Sequence, residues 1–230
     1  MTRSVFETPS ALACEAAAEF FRRADEAIRR RGRFLTALSG GDTPRASHAA
    51  IAERAGELDW RLVHLFWGDE RCVPPEDPKS NYRMAAETLL SRVPIPAENV
   101  HRWKAEREPE EAASLYEKEL VSAAGAPPVL DLVFLGVGLD GHTASLFPGS
   151  AVLAITDRSC AANFVPSLGS WRLTLTYPAL NAAREALFLV EGKEKREIVR
   201  KIEAGGDYPA ARVKAARTLW FMDKAAAAGE

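Results

Sequence analysis

The hydrophobic positions of the chain alternate between long helical patterns and short apolar runs. In the first helical segment, which Ser10 would cap and Gly32 would end, apolar residues recur at i, i+4 spacing: Leu12, Ala16, Phe20, Ala24 and Ile28. Further helices are predicted after residue 44 and over 80–91, 108–124 and 193–203. Short apolar runs predict strands over 34–38, 62–67, 130–135, 172–176, 187–190 and 219–221.

This alternation of strands and helices predicts an α/β fold with a mostly parallel sheet that helices cover on both faces. The polar loops follow the strand ends, which places them along one rim of the sheet. Because the sequence has no obvious linker, internal repeat or low-complexity segment, we expect a single domain over 1–230. Segment 225–230 is expected to be a frayed tail.

Composition and charge narrow the class of protein. The chain has 230 residues, of which 47% are hydrophobic and 27% charged, as in soluble globular proteins. Its net charge of −2 gives no electrostatic reason for a nucleic-acid or membrane partner, and no apolar run approaches a membrane span. Cys14, Cys72 and Cys160 are odd in number and form no C-x-x-C pair, so we expect a reducing cytoplasm.

The most informative stretch is 138–147, which directly follows the predicted strand 130–135. It presents Asp140 and His142 at the carboxyl end of that strand, where open α/β sheets bind their ligands. Histidine exchanges protons near neutral pH, so His142 is the predicted general base. We expect no metal site, because the other histidines are scattered and no cysteine cluster accompanies them.

The same stretch also matches a dinucleotide-binding pattern. Gly136, Gly138 and Gly141 fit G-x-G-x-x-G, and Asp157 lies near the distance expected of a ribose-binding acid. That pattern requires a helix after the third glycine. Segment 142–150 contains a Pro-Gly pair and is too short for a crossover of ~10–12 residues, which disfavours a dinucleotide site.

Two other polar loops and two later cations are candidates for binding an anion. Segment 39–44 (Ser-Gly-Gly-Asp-Thr-Pro) is either a phosphate-binding loop at a helix N-terminus or a tight turn. Segment 68–71 (Gly-Asp-Glu-Arg) is either a substrate clamp, in which Arg71 holds an anion, or a salt-bridged turn. Arg172 and Lys195 either complete an anion pocket or are solvated charges.

Taken together, five motifs resemble the glucosamine-6-phosphate isomerase/6-phosphogluconolactonase family, and its lactonase branch in particular. They occur in the family's order: Ser-Gly-Gly-Asp-Thr-Pro at 39–44, Trp-Gly-Asp-Glu-Arg at 67–71, Ser-Asn-Tyr at 80–82, Gly-Val-Gly-Leu-Asp-Gly-His-Thr-Ala-Ser-Leu-Phe-Pro at 136–148, and Arg-Leu-Thr-Leu-Thr-Tyr-Pro at 172–178 running into Leu-Asn-Ala-Ala-Arg at 180–184. The run that begins at Asp140 is the most specific of them.

The resemblance implies a Rossmann-like domain that hydrolyses 6-phospho-D-glucono-1,5-lactone in the second step of the oxidative pentose phosphate pathway. It implies neither a cofactor nor a metal. His142 would act as the base and Asp140 would orient it. The substrate, a small sugar-phosphate lactone, would be bound by residues from four segments: Ser39, Gly40, Gly41, Thr43, Asp69, Arg71, Arg172 and Lys195. We expect a monomer or a weak homodimer.

Two alternatives from the same superfamily stay open. Glucosamine-6-phosphate deaminases share the glycine loop and an Asp-Gly-His, but a glutamate and an asparagine follow their histidine. The corresponding positions here are Leu146 and Phe147, which favours the lactonase. Non-catalytic sugar-phosphate sensors usually carry a DNA-binding domain, for which this chain has neither spare length nor a basic patch.

Overall fold

The structure, a computed structural model, describes residues 2–227. The strands are β1 (Thr2–Phe6), β2 (Phe34–Leu38), β3 (Val63–Trp67), β4 (Asp69–Arg71), β5 (Leu132–Leu135), β6 (Cys160–Val165), β7 (Ser170–Leu175), β8 (Glu185–Val190) and β9 (Arg217–Asp223). The helices are α1 (Pro9–Arg31), α2 (Asp42–Glu53), α3 (Asn81–Thr88), α4 (Pro109–Ala124), α5 (Tyr177–Ala182) and α6 (Arg196–Glu203). Within this range, no helix is long and apolar enough to cross a membrane.

Six strands form one parallel sheet in the order β1-β9-β8-β5-β2-β3. Every residue of β2, β5 and β8 is buried, as expected of central strands that are covered on both faces. These strands read as continuous apolar runs in the sequence for the same reason. The predicted α/β class with a mostly parallel sheet is confirmed.

A second, antiparallel sheet of three strands in the order β4-β7-β6 corrects two predictions. The strand predicted over 172–176 is β7, which lies in this small sheet and not in the parallel one. The segment predicted as a loop after β3 is largely β4, because Asp69–Arg71 pairs with Arg172–Thr174. The three charged residues of β4 show no alternation of apolar and polar positions, so this strand forms only because β7 pairs with it.

Helix α1 begins two residues earlier than predicted. Thr8, and not Ser10, is the N-cap, since its hydroxyl accepts a hydrogen bond from the Ala11 amide at 3.1 Å. Pro9 then occupies the first helical position, where its missing N–H costs nothing. The helix ends as predicted at Gly32, which adopts a φ of 75°.

Both ends of the described chain are more ordered than the sequence suggests. Strand β1 was not predicted, because it is a short edge strand of mostly exposed residues that pairs with β9. The prediction of a frayed tail over 225–230 is wrong for residues 225–227. Ala226 is buried and its amide donates to the Asp223 carboxylate, whereas 228–230 lie outside the described residues.

A buried ionic network joins α1 to the amino-terminal ends of β8 and β9. Glu185 is 2% exposed and lies 3.0 Å from Arg217 and 3.5 Å from Arg23. Burial raises the pKa of Glu185 to about 7, and the nearby carboxylate of Glu19 contributes to the rise. Burial opposes the ionisation of Glu19 as well, but hydrogen bonds from Arg22 and Arg23 lower its pKa overall.

Glu185→Gln is therefore expected to stabilise the protein at pH 8. A carboxyl group whose pKa is raised by folding stabilises the fold below its unfolded value, near 4.5, and this contribution is lost as the pH rises through about 7. The glutamine avoids that loss, so the free energy of unfolding should increase at pH 8 by on the order of 2 kcal/mol. Urea denaturation at pH 8 and pH 5 measures the difference.

The gain should shrink towards pH 5, where Glu185 of the parent is itself protonated. Glu15→Gln is the matched control, because Glu15 lies on α1 and pairs with Arg22 at the exposed surface. It should change stability little at either pH. A Glu185→Gln protein that is less stable than the parent at pH 8 would show that the ion pairs outweigh the burial of the charge.

Candidate active site

A cleft of about 510 Å³ opens at the carboxyl ends of β2 and β5, beside the small antiparallel sheet. The chain leaves β2 towards β3, but leaves β5 towards β8 on the opposite side. Such a reversal of strand order creates the crevice in which open α/β sheets bind ligands. The structure therefore places the cleft at the rim that the sequence predicted.

The loop 136–147 brings Asp140 and His142 together at this cleft. The Asp140 Oδ1 atom lies 2.6 Å from His142 Nδ1 and also accepts a hydrogen bond from the His142 amide at 3.1 Å. Burial alone would raise the pKa of Asp140, but the amide hydrogen bond and the attraction of the imidazole lower it overall. Asp140 is thus an ionised carboxylate at neutral pH.

An ionised carboxylate only accepts hydrogen bonds, so the proton shared with Asp140 belongs to His142 Nδ1. In the neutral ring, Nε2 then carries the lone pair. His142 lines the cleft and its side chain is 30% exposed. The pair therefore presents a base to the cleft, with its tautomer set by the carboxylate.

The loop 136–147 around this pair forms a turn and not the start of a helix. The Gly138 amide donates to the His142 carbonyl and the Gly141 amide to the Gly138 carbonyl, each at 2.9 Å. The segment after His142 contains turns and a short bridge from Thr143 to Leu146. The helix that a dinucleotide site needs is not formed there, and these two amides are already engaged.

Three cations line the cleft without a carboxylate partner. Arg71 donates to the Lys79 carbonyl, Arg172 to Ser170 and the Trp171 carbonyl, and Lys195 to the Val137 carbonyl at 2.8 Å. Within residues 2–227, no acidic side chain forms an ion pair with any of the three. An anionic ligand would supply the missing partner.

Arg71 and Arg172 also lie directly opposite each other in the β4–β7 pairing. Like charges in opposite positions of a sheet are unfavourable. Burial first, and then the charge of Arg71, lower the pKa of Arg172, which remains a cation at neutral pH. A pair of arginines held together in this way is expected where a ligand is an anion.

The two acidic residues of segment 68–71 have different environments. Asp69 lines the cleft and accepts hydrogen bonds from the Ser145 hydroxyl at 2.7 Å and the Asn81 amide at 3.3 Å. Glu70 points away and accepts from the backbone amides of three residues, two of them at the start of α3. Burial raises the pKa of Glu70, although these amides favour its charged form. Glu70 therefore anchors α3, while Asp69 belongs to the cleft.

The structure divides the predicted phosphate loop. Ser39 and Gly40 line the cleft, but Gly41 and Thr43 do not. Helix α2 begins at Asp42, so Thr43 lies in the first turn of this helix. All the other predicted site residues line the cleft: Asp69, Arg71, Asp140, His142, Arg172 and Lys195.

Sequence reasoning gave no role to Asn81 and Ser145, which connect the loops of the site. A Cβ added to Gly40 would overlap the Asn81 side chain, so the glycine loop packs directly on the start of α3. Ser145 joins the histidine loop to Asp69. In the sequence, only the position of Asn81 and Ser145 within the family motifs indicated a role in the site. Leu168, at the tip of the β6–β7 hairpin, also lines the cleft and had no signal at all.

The chain resembles known proteins over most of its length. Residues 7–220 match the family described as glucosamine-6-phosphate isomerases/6-phosphogluconolactonase. The chain belongs to this family. It is 42% identical over 214 residues to a 6-phosphogluconolactonase from Nostoc, covering 89% of this chain and 88% of the relative. A 6-phosphogluconolactonase from Haemophilus influenzae is 39% identical over 197 residues, covering 82% and 84%.

Solved structures of the family share the fold. The 6-phosphogluconolactonase from Thermotoga maritima superposes with a TM-score of 0.87 at 30% identity, covering 97% of this chain and 99% of that one. A monomeric glucosamine-6-phosphate deaminase superposes with a TM-score of 0.83 at 19% identity, covering 98% of each chain. The second likeness shows the fold alone. The Rossmann-like sheet implied by the sequence motifs is thus confirmed.

Proposed function

We propose that this protein is a 6-phosphogluconolactonase, which hydrolyses 6-phospho-D-glucono-1,5-lactone to 6-phosphogluconate. The observation that carries the proposal is the Asp140–His142 pair, whose Nδ1–Oδ1 distance of 2.6 Å leaves Nε2 as a base in a cleft lined by unpaired cations. Relatives named 6-phosphogluconolactonase that cover most of the chain support it.

In the proposed mechanism, His142 Nε2 removes a proton from a water molecule as the water oxygen bonds to the lactone carbonyl carbon. The bond from that carbon to the ring oxygen then breaks, and Nε2 returns its proton to this oxygen. The new carboxylic acid releases one proton to solvent. Asp140 keeps the imidazole in the required tautomer and stabilises its charged form.

The negative charge that develops on the carbonyl oxygen needs hydrogen-bond donors. The amides of Gly138 and Gly141 donate within their own loop and are not available. Gly40 also lines the cleft, and its amide is a candidate donor. Arg71 and Arg172 add positive charge to the same cleft.

Lys195 is assigned to the substrate phosphate, together with Ser39 and one or both arginines. Lys195→Ala is expected to raise KM about tenfold or more with little change in kcat, because a phosphate is a binding handle remote from the reacting carbon. Steady-state kinetics with fresh lactone measure both constants. Lys193→Ala is the control, since Lys193 lies in the same turn but is exposed and outside the cleft. A collapsed kcat with unchanged KM would instead place Lys195 at the reacting centre.

The direct test of the activity follows proton release from freshly made 6-phosphogluconolactone above the spontaneous rate. Ammonia release from glucosamine 6-phosphate is measured in parallel. Acid release without ammonia is the expected result. Ammonia would favour the deaminase, and no activity on either compound would favour a sugar-phosphate sensor.

We further infer one lactonase domain over 1–230 that works in the cytoplasm as a monomer or a weak homodimer, without a metal. Most of its buried apolar residues form one cluster from Leu12 to Ala226, which supports a single domain. The three cysteines are free, which fits a reducing compartment. Within residues 2–227, no three His, Cys, Asp or Glu side chains are grouped to hold a metal ion. Sedimentation and activity in the presence of a chelator test these points.

A further inference from the structure

The ring of Phe147 lies against the imidazole of His142. The two ring centroids are 4.1 Å apart and the ring planes differ by 27°, which is a stacked arrangement. Phe147 is half-buried and separates the cleft from a neighbouring groove lined by Phe164 and Trp171. The mechanism proposed above makes no use of this contact.

The imidazole of His142 needs such a support because the Asp140–His142 pair is partly exposed. The side chains of Asp140 and His142 are 48% and 30% exposed, so water competes with the hydrogen bond that joins them. One bond at Nδ1 also fixes one atom of the ring but not the plane of the ring. A ring stacked on the imidazole restricts that rotation, so Nδ1 meets Asp140 while Nε2 points into the cleft.

The stack also suits both protonation states of the base. Phe147 offers an apolar surface to the neutral imidazole, and the face of an aromatic ring attracts a cation when the imidazolium forms. An aliphatic side chain would supply bulk in this place, but neither a flat surface nor this attraction. The chemistry of the contact is therefore specific to an aromatic residue.

We propose that Phe147 is a positioning residue that holds the imidazole of His142 in its catalytic orientation. The inference rests on the proposed role of His142 as the general base. It gives a function to Phe147, which is one of the two positions after the histidine that were compared with the deaminases above; an aromatic side chain stands here where they have a polar one.

Phe147→Leu should lower kcat about tenfold and leave KM nearly unchanged, because a stacked aromatic pair contributes an energy that corresponds to about this factor. Phe147→Tyr keeps the stacked ring and should retain most of the activity. Steady-state kinetics and thermal denaturation are measured for both variants. A raised KM with normal kcat, or equal losses for leucine and tyrosine, would overturn the proposal.

Phe164→Leu is the matched control for a lost aromatic contact. Phe164 packs on Trp171 with centroids 5.4 Å apart, lies outside the cleft and does not touch His142. This variant should keep kcat, and its melting temperature is compared with that of Phe147→Leu. If it lowers kcat as much as Phe147→Leu does, the effect is structural and the proposal fails.

The Phe147→Leu change is also made in the His142→Ala background. A residue that acts only through His142 should have no further effect on kcat there, so the two losses should not add. A full tenfold loss in this background would mean that Phe147 acts directly on the substrate. If His142→Ala itself keeps normal activity, the proposed base is wrong. If His142→Ala loses activity but Phe147→Leu does not, the proposed role of Phe147 is wrong and the proposed base stands.

Discussion

Replacement of His142 by alanine should lower kcat at least about 100-fold, the usual contribution of a general base. The imidazole acts on the water and on the leaving oxygen, so its loss should lower kcat and kcat/KM by similar factors. KM should change little, because the cations that hold the substrate are untouched. Proton release from fresh lactone, corrected for the spontaneous reaction, measures both constants.

The pH dependence supplies a second readout of the same variant. A histidine base works when neutral, so the activity of the parent should fall at acid pH. The residual activity of His142→Ala should lose that dependence. His64→Gln is the control, because His64 pairs with His101 at 3.1 Å and lies outside the cleft. A loss of tenfold or less in His142→Ala would contradict the assignment of the base.

The parallel sheet could be predicted because its central strands are buried on both sides. Strands β2, β5 and β8 are short apolar runs bounded by polar turns, a pattern that requires no knowledge of their partners. The position of Asp140 and His142 followed from the same reasoning. A loop after such a strand reaches the rim where open α/β sheets bind ligands.

The small sheet could not be predicted in the same way. Strand β4 is the tripeptide Asp69–Arg71, and it exists because β7, about 100 residues later, pairs with it. Only this long-range pairing places Arg71 opposite Arg172. The two arginines were separate candidates in the sequence, and the register makes them one cationic surface.

The glycine loop after β2 shows a different limit. The motif suggested that Gly40, Gly41 and Thr43 all face the ligand. Helix α2 begins at Asp42 instead, and neither Gly41 nor Thr43 lines the cleft. A motif of six residues does not specify where the helix starts, so it does not specify which of its side chains face the cleft.

Gly138→Ala should abolish most of the activity without unfolding the protein. A Cβ at this position would lie 2.7 Å from Asp140 Oδ1 and closer still to His142 Nδ1 and Cε1. The added methyl group therefore occupies the space of the hydrogen bond that joins the dyad. A displacement of about 1 Å at a reacting group costs on the order of 100-fold, and we expect kcat to fall by about this factor.

Stability should not follow activity in this variant. Gly138 does not adopt a positive φ, so alanine is compatible with its backbone. The atoms that must move are the ends of two side chains, and alanine also restricts the unfolded chain, which favours folding. The melting temperature should be unchanged or slightly higher. Gly56→Ala, where an added Cβ meets open space, controls for the substitution itself.

The double variant Gly138→Ala with His142→Ala shows whether Gly138→Ala lowers kcat by displacing His142 or because Gly138 contacts the substrate. Once the imidazole is absent, the methyl group at position 138 no longer overlaps its nearest neighbour, so it should lower kcat little further. Losses that multiply would mean that Gly138 also contacts the substrate. Nearly normal kcat in Gly138→Ala alone would mean that the dyad tolerates displacement, and the orientation set by Asp140 would then have no part in catalysis.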